Sequence, residues 1–179
     1  MASPQIVVDF WQQAGPSRWF ERDDQFDADF RSRFLDLHMA AAARQYEDWL
    51  GTPEGTLALM VLLDQFPRNA FRGTAHSYAT DPLARHYAVR AVEDGMDQRI
   101  DVSMRMFVYL PFEHSESLMD QERSVAMFQA LGDAQTLEYA VIHRDVIRRF
   151  GRFPHRNAAL GRTPTMEELE FLANGGFSA

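Results

Sequence analysis

Residues 57–73 constrain the fold more strongly than any other part of the chain. Residues 57–63 are apolar without interruption, and a helix with no polar face must be surrounded by protein on all sides. The apolar run ends at Asp64, and Pro67 follows three residues later. The sequence therefore predicts a central, buried helix that ends by Phe66, because the residue before a proline disfavours helical backbone angles.

The motif around Pro67 has a second copy near the other end of the chain. Residues 66–70 read Phe-Pro-Arg-Asn-Ala, residues 153–158 read Phe-Pro-His-Arg-Asn-Ala, and each copy leads to a glycine, Gly73 or Gly161. Each copy is expected to begin a short helical turn, whose free N–H groups favour anions. If the two copies face each other, their side chains would border one hydrophilic pocket.

Helical patterns extend through the rest of the chain. Phe26, Phe30 and Phe34 recur at four-residue intervals, which predicts one apolar helix face, and Asp27 is placed to pair with Arg31 one turn later. No segment alternates between apolar and polar residues as a half-buried strand does. We predict an all-α class with about eight antiparallel helices, stacked as a helical-pair solenoid or a bundle.

Helix-start signals support this class. Residues 52–54, Thr-Pro-Glu, combine an N-cap, a proline in the first turn and an acidic residue, and Thr165-x-x-Glu168 is a capping box. The length of 179 residues is sufficient for one domain with a substantial core. We therefore expect residues 1–179 to form a single α-helical domain.

The composition excludes several kinds of chemistry. There is no cysteine and no lysine, which excludes disulfides, thiolate metal sites, cysteine nucleophiles, Schiff-base lysines and P-loop lysines. All 18 basic residues are arginine, a bias that a GC-rich genome explains, and each is a planar, forked donor suited to carboxylate or phosphate. The net charge of −8 argues against a nucleic-acid partner, which requires a broad basic face.

The chain also lacks signals for membranes and cofactors. Its first residues do not have the basic region and apolar core of a secretory signal. Its longest apolar run is far shorter than the ~20 residues that span a bilayer. No glycine-rich phosphate loop is present, since the glycines lie singly at helix ends. We expect a cytoplasmic protein with no membrane partner and no cofactor, and its oligomeric state stays open.

Asp64 is expected in apolar surroundings, where a carboxylate must pair or become neutral. One interpretation is a salt bridge to Arg68, Arg152 or Arg156 that locks two helix ends together. The other is a buried acid or base at the floor of a pocket. The arginines have the same two interpretations: a converging anion site, or pairing with local carboxylates such as Asp64, Asp81 and Glu116.

His143 and the segment 113–116, Glu-His-Ser-Glu, are the other candidates for chemistry. His143 lies on an apolar helix face, which is typical of a neutral core residue with one hydrogen bond, while the alternative is a catalytic group or ligand. The segment could supply metal ligands or an acid–base pair, but its spacing matches no metal motif and no nucleophile elbow exists. We therefore predict no metal site.

Specific motifs of this chain resemble those of the bacterial domain-of-unknown-function family 924. The motifs are Thr52-Pro53-Glu54-Gly55, Leu62-Leu63-Asp64-Gln65-Phe66-Pro67-Arg68-Asn69, His114-Ser115-Glu116, Asp120-Gln121-Glu122 and Phe150-Gly151-Arg152-Phe153-Pro154-His155-Arg156-Asn157. The resemblance covers nearly the whole chain and implies a tetratricopeptide-like helical fold, while it implies no activity and no catalytic residue. The chain itself has neither the tetratricopeptide signature nor its 34-residue period, so peptide binding in a repeat groove is not expected.

Three functional hypotheses follow from these patterns. The first is a helical-repeat-like binding protein whose polar pocket takes an anionic small molecule or an acidic peptide end. The second is a hydrolase or transferase that uses His114 or His155 as acid or base, with an arginine clamp. The third is an interaction scaffold without a pocket. The candidate pocket residues are Asp64, Arg68, Asn69, Arg72, His114, Glu116, His143, Arg152, His155, Arg156 and Asn157.

Overall fold

A computed structural model describes residues 2–178 of the chain, and this part is helical with no strand. The helices are α1 (Pro4–Ala14), α2 (Pro16–Trp19), α3 (Asp24–Ala42), α4 (Pro53–Met60), α5 (Phe66–Ala70), α6 (Asp81–Glu93), α7 (Val102–Glu113), α8 (Leu118–Leu131), α9 (Ala134–Phe150) and α10 (Met166–Ala173). The all-α prediction is therefore confirmed. A tetratricopeptide-like stacking of these helices stays a prediction. No helix within the described residues is long and apolar enough to cross a bilayer.

The chain divides into two compact units. The N-terminal unit contains the chain up to Arg72 together with His76–Pro111, and the C-terminal unit contains Gly73–Ala75 and the chain from Phe112 onward. The division falls inside α7, which continues without a break from Val102 to Glu113. That both units belong to a single domain stays a prediction.

The centre of the N-terminal unit is the helical segment that contains α4 and α5. Residues 55–67 are all buried, as the unbroken apolar run predicts. Helices α1 and α6 pack against α4, and α3 packs against α5. The ring of Trp11 on α1 lies 5.3 Å from Phe30 and 5.5 Å from Phe107, measured between ring centroids. These aromatic contacts fill the core around the central segment.

The prediction that the central helix ends by Phe66 is wrong. Val61–Gln65 form a π-helical turn that joins α4 directly to α5, so the chain stays helical through Pro67. In this turn the N–H of Phe66 bonds to the carbonyl of Val61, five residues earlier. Such a turn is wider than an α-helical one and admits a proline that would otherwise collide with the preceding turn.

Side chains supply the hydrogen bonds that the proline cannot make. Pro67 has no N–H to offer to the carbonyls four and five residues before it, those of Leu63 and Leu62. The hydroxyl of Thr80 donates to the carbonyl oxygen of Leu63 (2.5 Å), and Nδ1 of His38 donates to that of Leu62 (2.8 Å). The buried backbone of the π turn is therefore satisfied from α3 and from the start of α6.

The tautomer of His38 follows from this geometry. A carbonyl oxygen only accepts, so Nδ1 of His38 carries the proton and Nε2 is an acceptor. Nε2 of His76 lies 3.0 Å from it and serves as the donor. His38 is completely buried, and this burial lowers its pKa below the usual value.

The predicted ion pair between Asp27 and Arg31 is wrong. Asp27 instead accepts from Nε of Arg72 (2.6 Å) and from the side-chain amide of Asn69 (2.7 Å). Arg31 donates to the carbonyl oxygen of Ala70 (2.6 Å). The buried carboxylate thus ties α3 to the end of the central segment, because a tertiary partner satisfies it better than an exposed neighbour on its own helix.

The C-terminal unit contains a smaller apolar core. Helices α8 and α9 pack against each other, and α10 packs against a 3₁₀ turn at Pro154–Arg156. The buried side chains of Val146, Ile147 and Phe153 form the centre of this core. The rings of three partly buried phenylalanines, Phe150, Phe171 and Phe177, pack around it.

We predict that Thr80→Val destabilises the protein more than Thr80→Ser does. Valine keeps the shape of threonine but leaves the Leu63 carbonyl without its donor, so the free energy of unfolding should fall by about 1–3 kcal/mol. Serine keeps the hydroxyl and loses only a methyl group. Urea denaturation measures both variants. Equal or greater stability of the valine variant would contradict the role given to this hydrogen bond.

We predict that His38 makes the protein less stable as the pH falls below about 6.5, the pKa of histidine in an unfolded chain. The unfolded state then binds a proton that the folded state, with its lowered pKa, does not bind, so acid favours unfolding. Thermal midpoints measured between pH 7.5 and 5.5 should fall more steeply in the wild type than in His38→Gln, which cannot titrate. Parallel pH profiles would contradict the prediction.

Candidate functional site

Arg68 is bound by carboxylates of the N-terminal unit. Its guanidinium donates two hydrogen bonds to Asp81, from Nη1 (2.8 Å) and from Nη2 (2.9 Å), and Nη1 lies 3.3 Å from Oδ1 of Asp64. Of the three arginines that the sequence offered as partners of Asp64, Arg68 is thus one that contacts it. Burial by itself lowers the pKa of Arg68, but the charges of Asp64 and Asp81 outweigh this effect and raise it.

The other candidates in the first Phe-Pro copy are held in a similar way. Asn69 and Arg72 both bind the carboxylate of Asp27, as described above. Nη1 of Arg68 also donates to the carbonyl oxygen of Asp64 (2.7 Å), a residue of the π turn. In this unit the polar side chains hold α3, the central segment and α6 together, which is the second of the two interpretations given for the arginines.

The second Phe-Pro copy is fastened to α10. Nε of Arg152 donates to Oε1 of Glu168 (2.6 Å) and Nη2 to Oε2 (2.8 Å), and the side-chain amide of Asn157 also donates to Oε2 (3.2 Å). Glu168 completes the predicted capping box with Thr165. The hydrogen bond from Arg152 is the main cause that lowers the pKa of Glu168 to about 2.

Glu116 has a partner that the candidate list omitted, Arg162. The guanidinium of Arg162 donates to both oxygens of Glu116 (2.8 and 3.1 Å), and the N–H of Phe153 donates to Oε1 (2.8 Å). Partial burial raises the pKa of Glu116, but these donors outweigh it and lower the pKa overall. Sequence reasoning missed Arg162 because nothing local marks which residue of the arginine-rich segment reaches back to Glu116.

Three histidines and a glutamate gather elsewhere in the C-terminal unit, and we call Glu113, His114, His143 and His155 the histidine cluster. One ligand atom each of Glu113, His114 and His143 lies within 4.8 Å of the others. The rings of His114 and His143 are 6.2 Å apart between centroids. The rings of His143 and His155 both pack on Phe153, and the centroid of each lies 5.6 Å from that of Phe153. Glu113 and His143 are buried, and His114 and His155 are half-buried.

His143 is the most constrained member of the histidine cluster. Its Nδ1 lies 2.8 Å from the carbonyl oxygen of Tyr139, one helical turn earlier, and 3.3 Å from Oε1 of Glu113. Both oxygens accept, so Nδ1 carries the proton and Nε2 carries the lone pair. Burial, reinforced by the neighbouring imidazoles and by Arg156, lowers the pKa of His143 to about 3. The predicted hydrogen-bonded neutral histidine is thus found, together with a carboxylate partner that was not predicted.

Arg156 lies beside the histidine cluster. It is buried, its Nη1 donates to the carbonyl oxygen of His114 (3.0 Å), and its guanidinium lies 4.3 Å from the centroid of Phe153. The contact places a fixed positive charge beside the imidazoles. Among the candidate residues, His114, His143, His155 and Arg156 therefore come together, whereas Arg152, Asn157 and Glu116 take part in the ion-pair networks.

An aromatic cleft of about 290 Å³ lies beside the histidine cluster. Its walls are Ile142, Asp145, Val146, Arg149, Phe150, Phe171 and Phe177. The ring of Phe177 belongs to both features, since its centroid lies 4.3 Å from that of His143 and 5.4 Å from that of His155. Phe177 therefore lines the cleft and contacts two of the imidazoles, a position that sequence reasoning missed because the residue lies outside every motif.

The first Phe-Pro copy, with Asp64, Arg68, Asn69 and Arg72, belongs to the N-terminal unit, and the second copy belongs to the C-terminal unit. The hypothesis that the two copies border one shared pocket stays a prediction. The carboxylate partners described above account for the charges of Arg68, Arg72 and Arg152 within their own units.

Comparisons with known proteins agree on the family. A family model described as a bacterial protein of unknown function (DUF924) matches residues 7–176. A solved structure, that of the protein of unknown function ATU0120 from Agrobacterium tumefaciens, is 52% identical, with a TM-score of 0.93 over 96% of this chain and 97% of that chain. No curated protein matches the chain. The chain belongs to the bacterial family of unknown function DUF924, as its Phe-Pro motifs indicate.

Proposed function

We propose that the protein is an enzyme that acts on a small molecule, as a hydrolase or transferase, at the histidine cluster. The observation that carries the proposal is the position of His143 between the carbonyl of Tyr139 and the carboxylate of Glu113. A histidine whose one nitrogen is held by a carboxylate is oriented for proton transfer at its other nitrogen. This corresponds to the second functional hypothesis, with His143 added to the residues it named.

The proton-accepting atom in this proposal is Nε2 of His143. The lowered pKa of His143 keeps this nitrogen unprotonated in the resting protein, and the nearby carboxylate of Glu113 offsets the charge that the ring gains when a proton is transferred to it. Because Nδ1–H is donated to the carbonyl oxygen of Tyr139, Nε2 presents a lone pair that can take a proton from a water or a substrate hydroxyl. The role of Glu113 is to fix the ring and its tautomer rather than to touch the substrate. Glu113 is thus a positioning residue.

The other members of the cluster have complementary roles. The imidazole of His114 or of His155 can return a proton to the leaving group, since the ring of His114 lies 6.2 Å from that of His143, and His143 and His155 both pack on Phe177. The guanidinium of Arg156 provides a fixed positive charge that can stabilise an oxyanion as it develops. Arg156 is oriented in advance, because the carbonyl of His114 and the ring of Phe153 hold it in place.

The aromatic cleft indicates the size and nature of the substrate. Its volume of about 290 Å³ is at the lower end of the range for small-molecule pockets. Most of its lining residues are apolar, with Asp145 and Arg149 as the charged ones. We therefore propose a small substrate with an apolar part, which reaches the imidazoles when the ring of Phe177 moves aside.

This proposal replaces the binding protein with a polar pocket for an anionic ligand as the leading hypothesis. Arg68, Arg72 and Arg152 each bind a carboxylate within hydrogen-bonding distance. An anionic ligand would have to displace those carboxylates and leave them without a partner, which is costly at buried positions. The histidine cluster offers acid–base chemistry without that displacement.

We predict that His143→Gln abolishes most of the activity that the wild type shows on a panel of small chromogenic esters, amides and phosphoesters. Loss of the proton acceptor should lower kcat by about 10²–10⁴-fold, and Glu113→Gln should lower it by less. His86→Gln is the matched control, because His86 is an exposed histidine of the N-terminal unit. Circular dichroism checks that each variant is folded. A wild type without turnover, or equal activity of His143→Gln and His86→Gln, would contradict the proposal.

We predict that Phe177→Ala makes His143 more accessible. Diethyl pyrocarbonate modifies unprotonated imidazole nitrogens, and removal of the covering ring should increase the modification rate of His143 several-fold, as followed by peptide mass spectrometry. Phe20→Ala is the control, because Phe20 is an exposed phenylalanine (58%) of the other unit. An unchanged rate in Phe177→Ala would show that this ring does not control access.

A further inference from the structure

In place of the expectation from the sequence that no metal site exists, we propose that Glu113, His114 and His143 bind a divalent transition-metal ion of the zinc class. The inference goes beyond the proposed function, since binding of the metal does not depend on any activity. Its basis is the convergence of one ligand atom from each residue to within 4.8 Å of the other two. Glu113 is the last residue of α7, His114 follows it directly, and His143 is on α9, so the site forms only in the folded chain.

The donor set identifies the class of metal. Two imidazoles and one carboxylate suit zinc, iron, cobalt or nickel, whereas magnesium and calcium prefer oxygen ligands alone. Zinc sites with three protein ligands keep the fourth position open for water or substrate. The group therefore resembles a catalytic arrangement rather than a closed structural one.

The hydrogen bonds of His143 agree with a ligand role. Its Nδ1–H is held by the carbonyl oxygen of Tyr139, and a metal-bound histidine usually has such a partner on its other nitrogen. Nε2 is then the ligand atom. The carboxylate of Glu113 already contacts the same ring at 3.3 Å. That contact is made by Nδ1, so the carboxylate of Glu113 turns from Nδ1 toward the ion when the metal binds, and the carbonyl of Tyr139 remains as the partner of Nδ1–H.

The burial of Glu113 and His143 favours a metal ion at this site, whereas the positive charge of Arg156 opposes one. Glu113 is 3% exposed and His143 is 6% exposed, so a metal ion there would be largely shielded from water and would offset the charge of the buried carboxylate. Arg156 acts against a cation, because its guanidinium is held on the carbonyl of His114. An ion can enter from the side of His114, since this ligand is only half-buried.

The test is a titration of the untagged, chelator-treated full chain with Co²⁺, followed by its visible absorption, and with Zn²⁺, followed by calorimetry. We expect one ion per chain, and a loss of affinity of at least about ten-fold in His114→Gln and in Glu113→Gln. His86→Gln should bind as the wild type does. His114 is only half-buried, so its variant keeps the test valid if changes at the buried ligands disturb folding.

The outcomes separate this inference from the proposed function. No binding by the wild type, or unchanged binding in His114→Gln, overturns the metal site, and turnover without metal would leave the proposed function intact. Stoichiometric binding that depends on these three residues supports the metal site even if the substrate panel shows no activity. A metal on Nε2 of His143 would occupy the lone pair that the proposed function uses, so loss of activity on chelation would support the metal site and overturn the role of His143 as proton acceptor.

Discussion

The N-terminal unit depends on how a proline is accommodated inside its most buried helix. Pro67 deprives the helix of one N–H where water cannot replace it. The π turn at Val61–Gln65 relieves the steric conflict, and donors from other helices satisfy the carbonyls. A local covalent constraint thereby determines tertiary structure, because α3 and α6 must approach the central segment closely enough to bring His38 and Thr80 to it.

Arginine–carboxylate pairs also hold distant elements of the chain together, at the helix ends. Each pair joins elements that are separated in the chain: Arg68 with Asp81, Arg72 with Asp27, Arg152 with Glu168 and Arg162 with Glu116. Because lysine is absent, every basic group can bind a carboxylate through two N–H groups, which fixes direction as well as distance. Because these arginines are bound to carboxylates, we proposed the histidine cluster, rather than the arginines, as the site of chemistry.

The fold could be predicted from the sequence to a large extent because it depends on relations between neighbouring residues. The capping box of Thr165 and Glu168 and the contact of Asp64 with Arg68 join residues three or four positions apart. The site could not be predicted in the same way, because its pairs join distant positions. These pairs are Asp27 with Arg72, Arg152 with Glu168 and Glu113 with His143. Periodicity indicates which face of a helix is buried but not which helix covers it, so the position of His143 was expected and its partner Glu113 was not.

The π turn also limits how the length of the chain can vary. A π turn is equivalent to one extra residue inserted into an α-helix. Deletion of a single residue between Val61 and Gln65 would restore ordinary helical geometry, and the ring of Pro67 would then collide with the carbonyl of the preceding turn. The pairs that follow this turn, Arg68 with Asp81 and Asn69 with Asp27, would be disturbed with it. Homologous chains that keep these pairs should therefore tolerate substitutions in this segment far better than gaps.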